Sequence, residues 1–237
     1  MTVYVYSVVS TDHPQRVDEL DGVGDPPAKL RTVRHGSLSA VVSDAPEDLR
    51  PKRRDLNAHH TVQEHLMADG AVLPLQFGFT AADEDAVRAV LEERVDVLTA
   101  QLAALDNCVE YNLKVGQDEE ALLRRVLSES DQARALNDEI RSGSSNPELP
   151  LALGELVVQE VQARQGRLAA DIVAALRGAV RQEHLSEPAA NDFLNVSFLV
   201  HRDDEEDFLA AEKQLADELG ADFTVRLHGP LPAYSFV

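Results

Sequence analysis

Cys108-Val109-Glu110-Tyr111-Asn112-Leu113-Lys114-Val115 alternates apolar and polar residues without a break. Val109, Tyr111, Leu113 and Val115 fall on one side and Glu110, Asn112 and Lys114 on the other, the period of a half-buried β-strand. Just before it, Val87, Val90, Leu91, Val95, Leu98, Leu102 and Leu105 recur at helical spacing. Thr80 can cap that helix, and Asp83 to Asp85 put negative charge at its positive end. The switch of period near Asp106 places a domain boundary there, giving residues 1–106 and 107–237.

On the N-terminal side, Val3 to Val9 is rich in β-branched and aromatic residues and predicts a strand buried on both faces. Asp21-Gly22-Val23-Gly24-Asp25-Pro26-Pro27 is loop chemistry, and no Lys-Ser/Thr follows to make it a phosphate loop. Two short strands, Leu30 to Arg34 and Leu38 to Ser43, flank the hairpin signal His35-Gly36. A helix is expected from Lys52 to Ala68. Val72 to Phe77 is a short apolar run broken by Pro74, so it reads as an edge strand or a strand end.

On the C-terminal side, Gln117 to Arg141 reads as helical and polar, a helical insertion over residues 117–149. Ser142-Gly143-Ser144-Ser145-Asn146-Pro147 is linker composition. A long helix from Leu151 to His184, a strand from Phe193 to Val200 and a helix from Asp203 to Leu219 follow, with Gly220 as the stop. Phe223, Val225 and Leu227 alternate in a last strand, which Pro230 and Pro232 are expected to end. Mixed short strands and helices predict an α+β protein, and the second half has the look of a ferredoxin-like unit.

The chain has 237 residues, 42 acids against 22 Lys plus Arg, and a formal net charge of −20. Such a surface repels phosphate backbones, and the one dense basic run, Arg50, Lys52, Arg53 and Arg54, reads as a solvated helix start. No nucleic-acid partner is expected. No run reaches the ~20 apolar residues of a membrane span, so a soluble, cytoplasmic protein is expected. With Cys108 alone, no intramolecular disulfide is possible, and in a strand it reads as a small core residue.

The residues offer no catalytic constellation. His59, His60, Glu64 and His65 are the natural place to look for a metal, but His60 and His65 are five apart and diverge around a helix. They read as a polar, exposed helical face. Asp203 to Asp207 lack the glycine and spacing of a calcium loop. No metal, cofactor or catalytic residue is assigned.

Three segments together are similar to the gas vesicle protein F/L family. They are Val3-Tyr4-Val5-Tyr6-Ser7-Val8-Val9; Val72-Leu73-Pro74-Leu75-Gln76-Phe77-Gly78 with the later strand Val109 to Val115; and the tail Gly229-Pro230-Leu231-Pro232-Ala233-Tyr234-Ser235-Phe236-Val237. Gln76 stands where the family often has Arg, and Leu231 and Ala233 where it usually has Trp and Pro.

The resemblance implies an N-terminal α+β domain and a C-terminal modified ferredoxin-like domain with an extended tail, residues 229–237. It also implies a non-enzymatic accessory factor that binds the hydrophobic gas vesicle shell protein A, with other gas vesicle accessory proteins as further partners, at the gas vesicle in the cytoplasm. A minor structural component of the vesicle wall and a small-ligand regulatory protein are the alternatives. Pro74, Phe77, Leu231, Tyr234 and Phe236 are the candidate contact residues. They serve either as a partner surface, with the edge at Pro74 accepting a strand, or as an interdomain clasp anchored by Tyr234 and Phe236.

Overall fold

The computed structural model describes residues 1–143, 146–189 and 191–237. Its fold divides into two compact units. One comprises Met1–Tyr111, Leu199–Arg202 and Gly229–Val237; the other comprises Asn112–Phe198 and Asp203–His228. This grouping follows spatial contact and not chain order, so the tail belongs with the N-terminal residues.

The first unit is built on β1 (Val3–Ser10), with β2 (Arg31–His35) and β3 (Leu38–Asp44) to one side. The short β4 (Leu73–Pro74) and β5 (Thr80–Ala81) pair with β1 on its other side, both antiparallel. With a strand on each side, β1 is buried along nearly its whole length, as its composition predicts. A bulge lies between Val5 and Ser7 in the β1–β3 register. It keeps Val3, Val5 and Val8 on one face and Tyr4, Tyr6 and Val9 on the other. The valine face packs against α2 (Glu84–Glu93) and α3 (Val95–Ala104) through Val87, Leu91 and Leu102. The tyrosine face packs against α1 (Arg53–Asp69) through Val62 and Leu66.

The second sheet has the order β7-β8-β6-β9, from β6 (Cys108–Gln117), β7 (Gln182–Leu185), β8 (Asp192–His201) and β9 (Phe223–Leu231). Between β6 and β7 lie α4 (Glu119–Glu129), α5 (Asp131–Arg141) and α6 (Glu148–Leu176), and α7 (Glu205–Leu219) precedes β9. Leu122, Val126 and Ala133 pack with Leu153, Leu156, Val157 and Val161 to hold the three helices together. Phe198 and Phe208 meet edge to face with centroids 5.6 Å apart.

Several expectations need correction. Thr80 does not cap a helix, because it pairs with Tyr4 in the sheet; Asp83 caps α2 by accepting from the Ala86 amide. The helix expected through to Leu105 breaks at Arg94. The helix expected over Gln117 to Arg141 breaks at Ser130, whose Oγ accepts from the Ala133 amide and starts α5. The long helix stops at Leu176 and does not reach His184; after a 3-10 turn, residues 182–185 form β7. Those four residues are largely exposed and carry no alternation, so periodicity gave no sign of a strand. Val72 to Phe77 yields only the two-residue β4. The last strand runs through the cis Gly229–Pro230 peptide to Leu231, one residue past Pro230. In the expected linker, Ser144 and Ser145 lie outside the described residues.

Candidate functional site

The densest polar arrangement in the first unit lies where β1, α1, the segment after β4 and the C-terminal tail meet. β1 supplies Tyr4 and Tyr6, both fully buried, because residues two apart on a strand share a face and this one packs on α1. α1 supplies His59, 4% exposed. The His59 ring stacks on Tyr6 at 5.7 Å and stands edge-on to Tyr4 at 5.7 Å and to Phe77 at 5.8 Å. A polar, exposed face is therefore the wrong reading of this residue. His60 and Glu64 do fit that reading: both are exposed, 3.1 Å apart, while His65 is half-buried.

The Gly78 amide donates to Tyr4 Oη at 3.1 Å. Tyr4 Oη and His59 Nδ1 share a hydrogen bond of 2.8 Å, and His59 Nε2 and Tyr234 Oη share one of 3.2 Å, so the neutral ring donates at one nitrogen and accepts at the other. Gly78, at φ +97°, adopts the left-handed backbone that aims its amide at Tyr4. Burial pushes the His59 pKa from 6.5 down to about 4; a backbone hydrogen bond at Leu75 opposes the shift and nearby His60 adds to it. Burial raises the phenol of Tyr4, and that of Tyr234 to about 12 with help from the Glu110 charge. All three groups are neutral at pH 7.

The tail is held at a second point. Glu110 is 4% exposed, and its carboxylate accepts from the Ser235 amide at 2.9 Å and the Ser235 hydroxyl at 2.7 Å. Two donors from one residue satisfy a carboxyl group that would otherwise be buried without partners. Ala233 and Phe236 join the valine-face core. Gly229 makes the approach possible, since a Cβ there would lie 2.4 Å from the Tyr111 ring and 2.9 Å from the Glu110 carbonyl.

Of the five expected contact residues, Phe77 and Tyr234 converge on His59, whereas Phe236 packs against the separate valine-face core. Pro74 pairs with Ser7 inside the sheet, and Leu231 ends β9. Sequence reasoning missed His59, Glu110 and Ser235. Glu110 sits on the polar side of a cleanly alternating strand, and nothing local signals that the tail covers it.

Chemically, this arrangement is an anchor. Its hydroxyls, ring nitrogens and carboxylate oxygens bond one another and present no nucleophile or open ligand set. No group of three His, Cys, Asp or Glu side chains among the described residues could hold a metal ion. A hollow of about 420 Å³ lies at the N-terminal end of α1, lined by the charged Asp25, Asp44, Asp48, Lys52, Arg54 and Asp55 together with the apolar Val23, Pro26, Ala28, Ala45 and Pro46. Cys108 is half-buried, its thiol donating to the Asp106 carbonyl at 3.3 Å. No described helix is long and apolar enough to cross a membrane.

Comparison with known proteins gives consistent findings. The family model described as "Gas vesicle synthesis protein GvpL/GvpF" matches residues 2–237. Gas vesicle protein F of Streptomyces sp. (strain CB03234) is 44% identical over 238 residues, 100% of both chains. The crystal structure of GvpF from Anabaena sp. PCC7120 superposes with a TM-score of 0.86 at 19% identity, covering 99% of this chain and 97% of that one. GvpF from Microcystis aeruginosa superposes with a TM-score of 0.82 at 20% identity, covering 99% and 98%. At such identities the two structures establish likeness of fold.

Proposed function

The chain belongs to the gas vesicle synthesis protein GvpL/GvpF family, and on that premise we propose that it is an accessory protein that binds the hydrophobic shell protein A and assists gas vesicle assembly. The match over residues 2–237 carries this reading. The physics is compatible with it. A subunit destined for an apolar, gas-facing wall exposes β-prone surface while it is free, and such surface aggregates. A binder with a net charge of −20 keeps the complex dispersed by repulsion between copies.

In this reading the protein acts at the gas vesicle, in the cytoplasm, by binding and without chemistry. The two-domain description follows the same line, with a division near Asp106. The order β6, helices, β7, β8, α7, β9, with β6 and β8 central in the sheet, supports a ferredoxin-like second domain with the helical insertion after β6. Phe77, Tyr234 and Phe236 act as the clasp of the tail, with Pro74 and Leu231 as its strand ends.

The test is a pull-down with purified shell protein A, paired with light scattering of that protein as it is diluted from denaturant. Capture and suppressed scattering are expected at equimolar ratio. Absence of both overturns the proposal. Retention of the protein on isolated vesicles through stringent washing would point to a wall component instead.

A further inference from the structure

We propose that the outer face of α2 and α3 is a docking surface for an amphipathic helix of another protein, one whose apolar stripe is bordered by Lys and Arg. This face is distinct from the tail anchor, and the inference does not rest on the shell-protein reading.

α2 and α3 carry two apolar stripes where a surface helix needs one. The inner stripe, Val87, Leu91, Leu102 and Leu105, is buried in the core of the first unit. The outer stripe is Val90, Val97, Ala100 and Ala104, spaced seven, three and four residues apart, so that it runs along a single face. All four are exposed, and Val90 and Val97 keep 49% and 50% of their surface in water. The Arg94 amide still donates to the Val90 carbonyl, and the Leu98 amide to the Arg94 carbonyl, so the stripe stays in register across the break.

The charges beside the stripe choose the occupant. At the start of α2, Glu84 is paired with Arg31 and Arg88, and Asp85 with Arg88. Farther along, Glu92, Glu93 and Asp96 have no ion pair among the described residues. Glu92 and Asp96 are four apart, so they repel one another across a helical turn. Of the two nearby cations, Arg88 is engaged by Glu84 and Asp85, and Arg94 lies on the opposite flank of the stripe. Glu93, three residues after Val90 and four before Val97, lies on the stripe itself, and Glu92 and Asp96 lie along one border, so the face is complementary to a helix whose apolar strip carries cations on and beside it. A second copy of this chain would set carboxylates against carboxylates.

The probe is a fluorescein-labelled helical peptide of about five turns (~18 residues), with a Leu/Ala stripe bordered by Lys, titrated with the full-length protein by anisotropy. A counterpart with Glu in place of every Lys is the comparison. The Lys peptide is expected to bind at least ~10-fold more tightly than the Glu peptide, a difference of about 1.4 kcal/mol. Val90→Ser with Val97→Ser, and separately Glu92→Lys with Glu93→Lys and Asp96→Lys, are each expected to weaken it at least ~10-fold, with unchanged melting temperature. The control Asp138→Lys with Glu139→Lys and Glu155→Lys, which makes the same change in net charge elsewhere, is expected to leave binding as it was. Equal losses from the two charge-reversed triples would reduce the binding to general attraction by an acidic protein and overturn the proposal. So would no loss from either α2–α3 variant. Self-association of the full-length protein in sedimentation equilibrium, abolished by the double serine variant, would overturn it in favour of a second copy.

Discussion

The tail anchor and the outer face of α2–α3 both belong to the first unit, and both mix apolar with polar groups. They differ in what those groups meet. At the anchor, Tyr4, His59 and Tyr234 bond in series and Glu110 accepts twice from Ser235, in bonds that are buried or half-buried. On the outer face, Val90 and Val97 stand half in water beside three unpaired carboxylates. The difference separates two uses of a polar group. Buried and fully partnered, it fixes the fold, because removing either partner strands the other. Exposed and unpartnered, it costs the fold little and remains available for recognition.

The contrast can be tested in order of effect. Removing residues 229–237 takes Tyr234 and Phe236 from the anchor and uncovers the apolar groups and the Glu110 carboxylate beneath the tail. The expected loss is roughly 3 kcal/mol or more of unfolding free energy, read by urea denaturation. A truncated chain as stable as the full one would break the comparison at its root.

Next comes pH. The native His59 pKa of about 4 lies below the unfolded value of 6.5. As pH falls from about 6.5 to about 4, the unfolded chain takes up a proton that the native ring refuses, so stability declines through that window and is whole above it. The His59 contribution is on the order of 3 kcal/mol. His59→Gln is expected to flatten the slope between these pH values in a urea titration series, by comparison with the unaltered protein. An identical slope in both would remove His59 from the account.

Gly229→Ala forces a methyl toward the Tyr111 ring and is expected to cost about 1–3 kcal/mol, visible as a lower melting temperature. The smallest effect belongs to the outer face. Asp96→Lys converts the repelling Glu92–Asp96 pair into an attractive one and should raise stability by about 0.2–0.5 kcal/mol. A loss of more than about 1 kcal/mol would mean that this face is part of the core and sharpen the boundary between the two regions.

Much of the architecture was legible along the chain. The run Val3 to Val9 read as a doubly buried strand and is one, and the alternation over Cys108 to Val115 marked β6. The breaks were harder. Arg94 and Ser130 divide helices that periodicity joins, because an apolar spacing says nothing about a local backbone kink or a serine cap. β7 was invisible, since an exposed four-residue edge needs no alternation when its neighbour supplies the hydrogen bonds. At the anchor, Tyr234 and Phe236 were legible as apolar tail residues, but His59 and Glu110 were read as exposed because their helix and strand patterns place them on polar faces.

By itself, then, the sequence determined the kinds of element, the strongly acidic surface and the family to which the chain belongs, through residues close together along the chain whose periods and turns act locally. The tertiary structure alone decided which polar residues are buried. His59 and Tyr234 are 175 positions apart, and Glu110 and Ser235 are 125 apart. A hydrogen bond closed over such a distance leaves no mark on local spacing; it forms because the packed strands and helices of the first unit bring the tail to it.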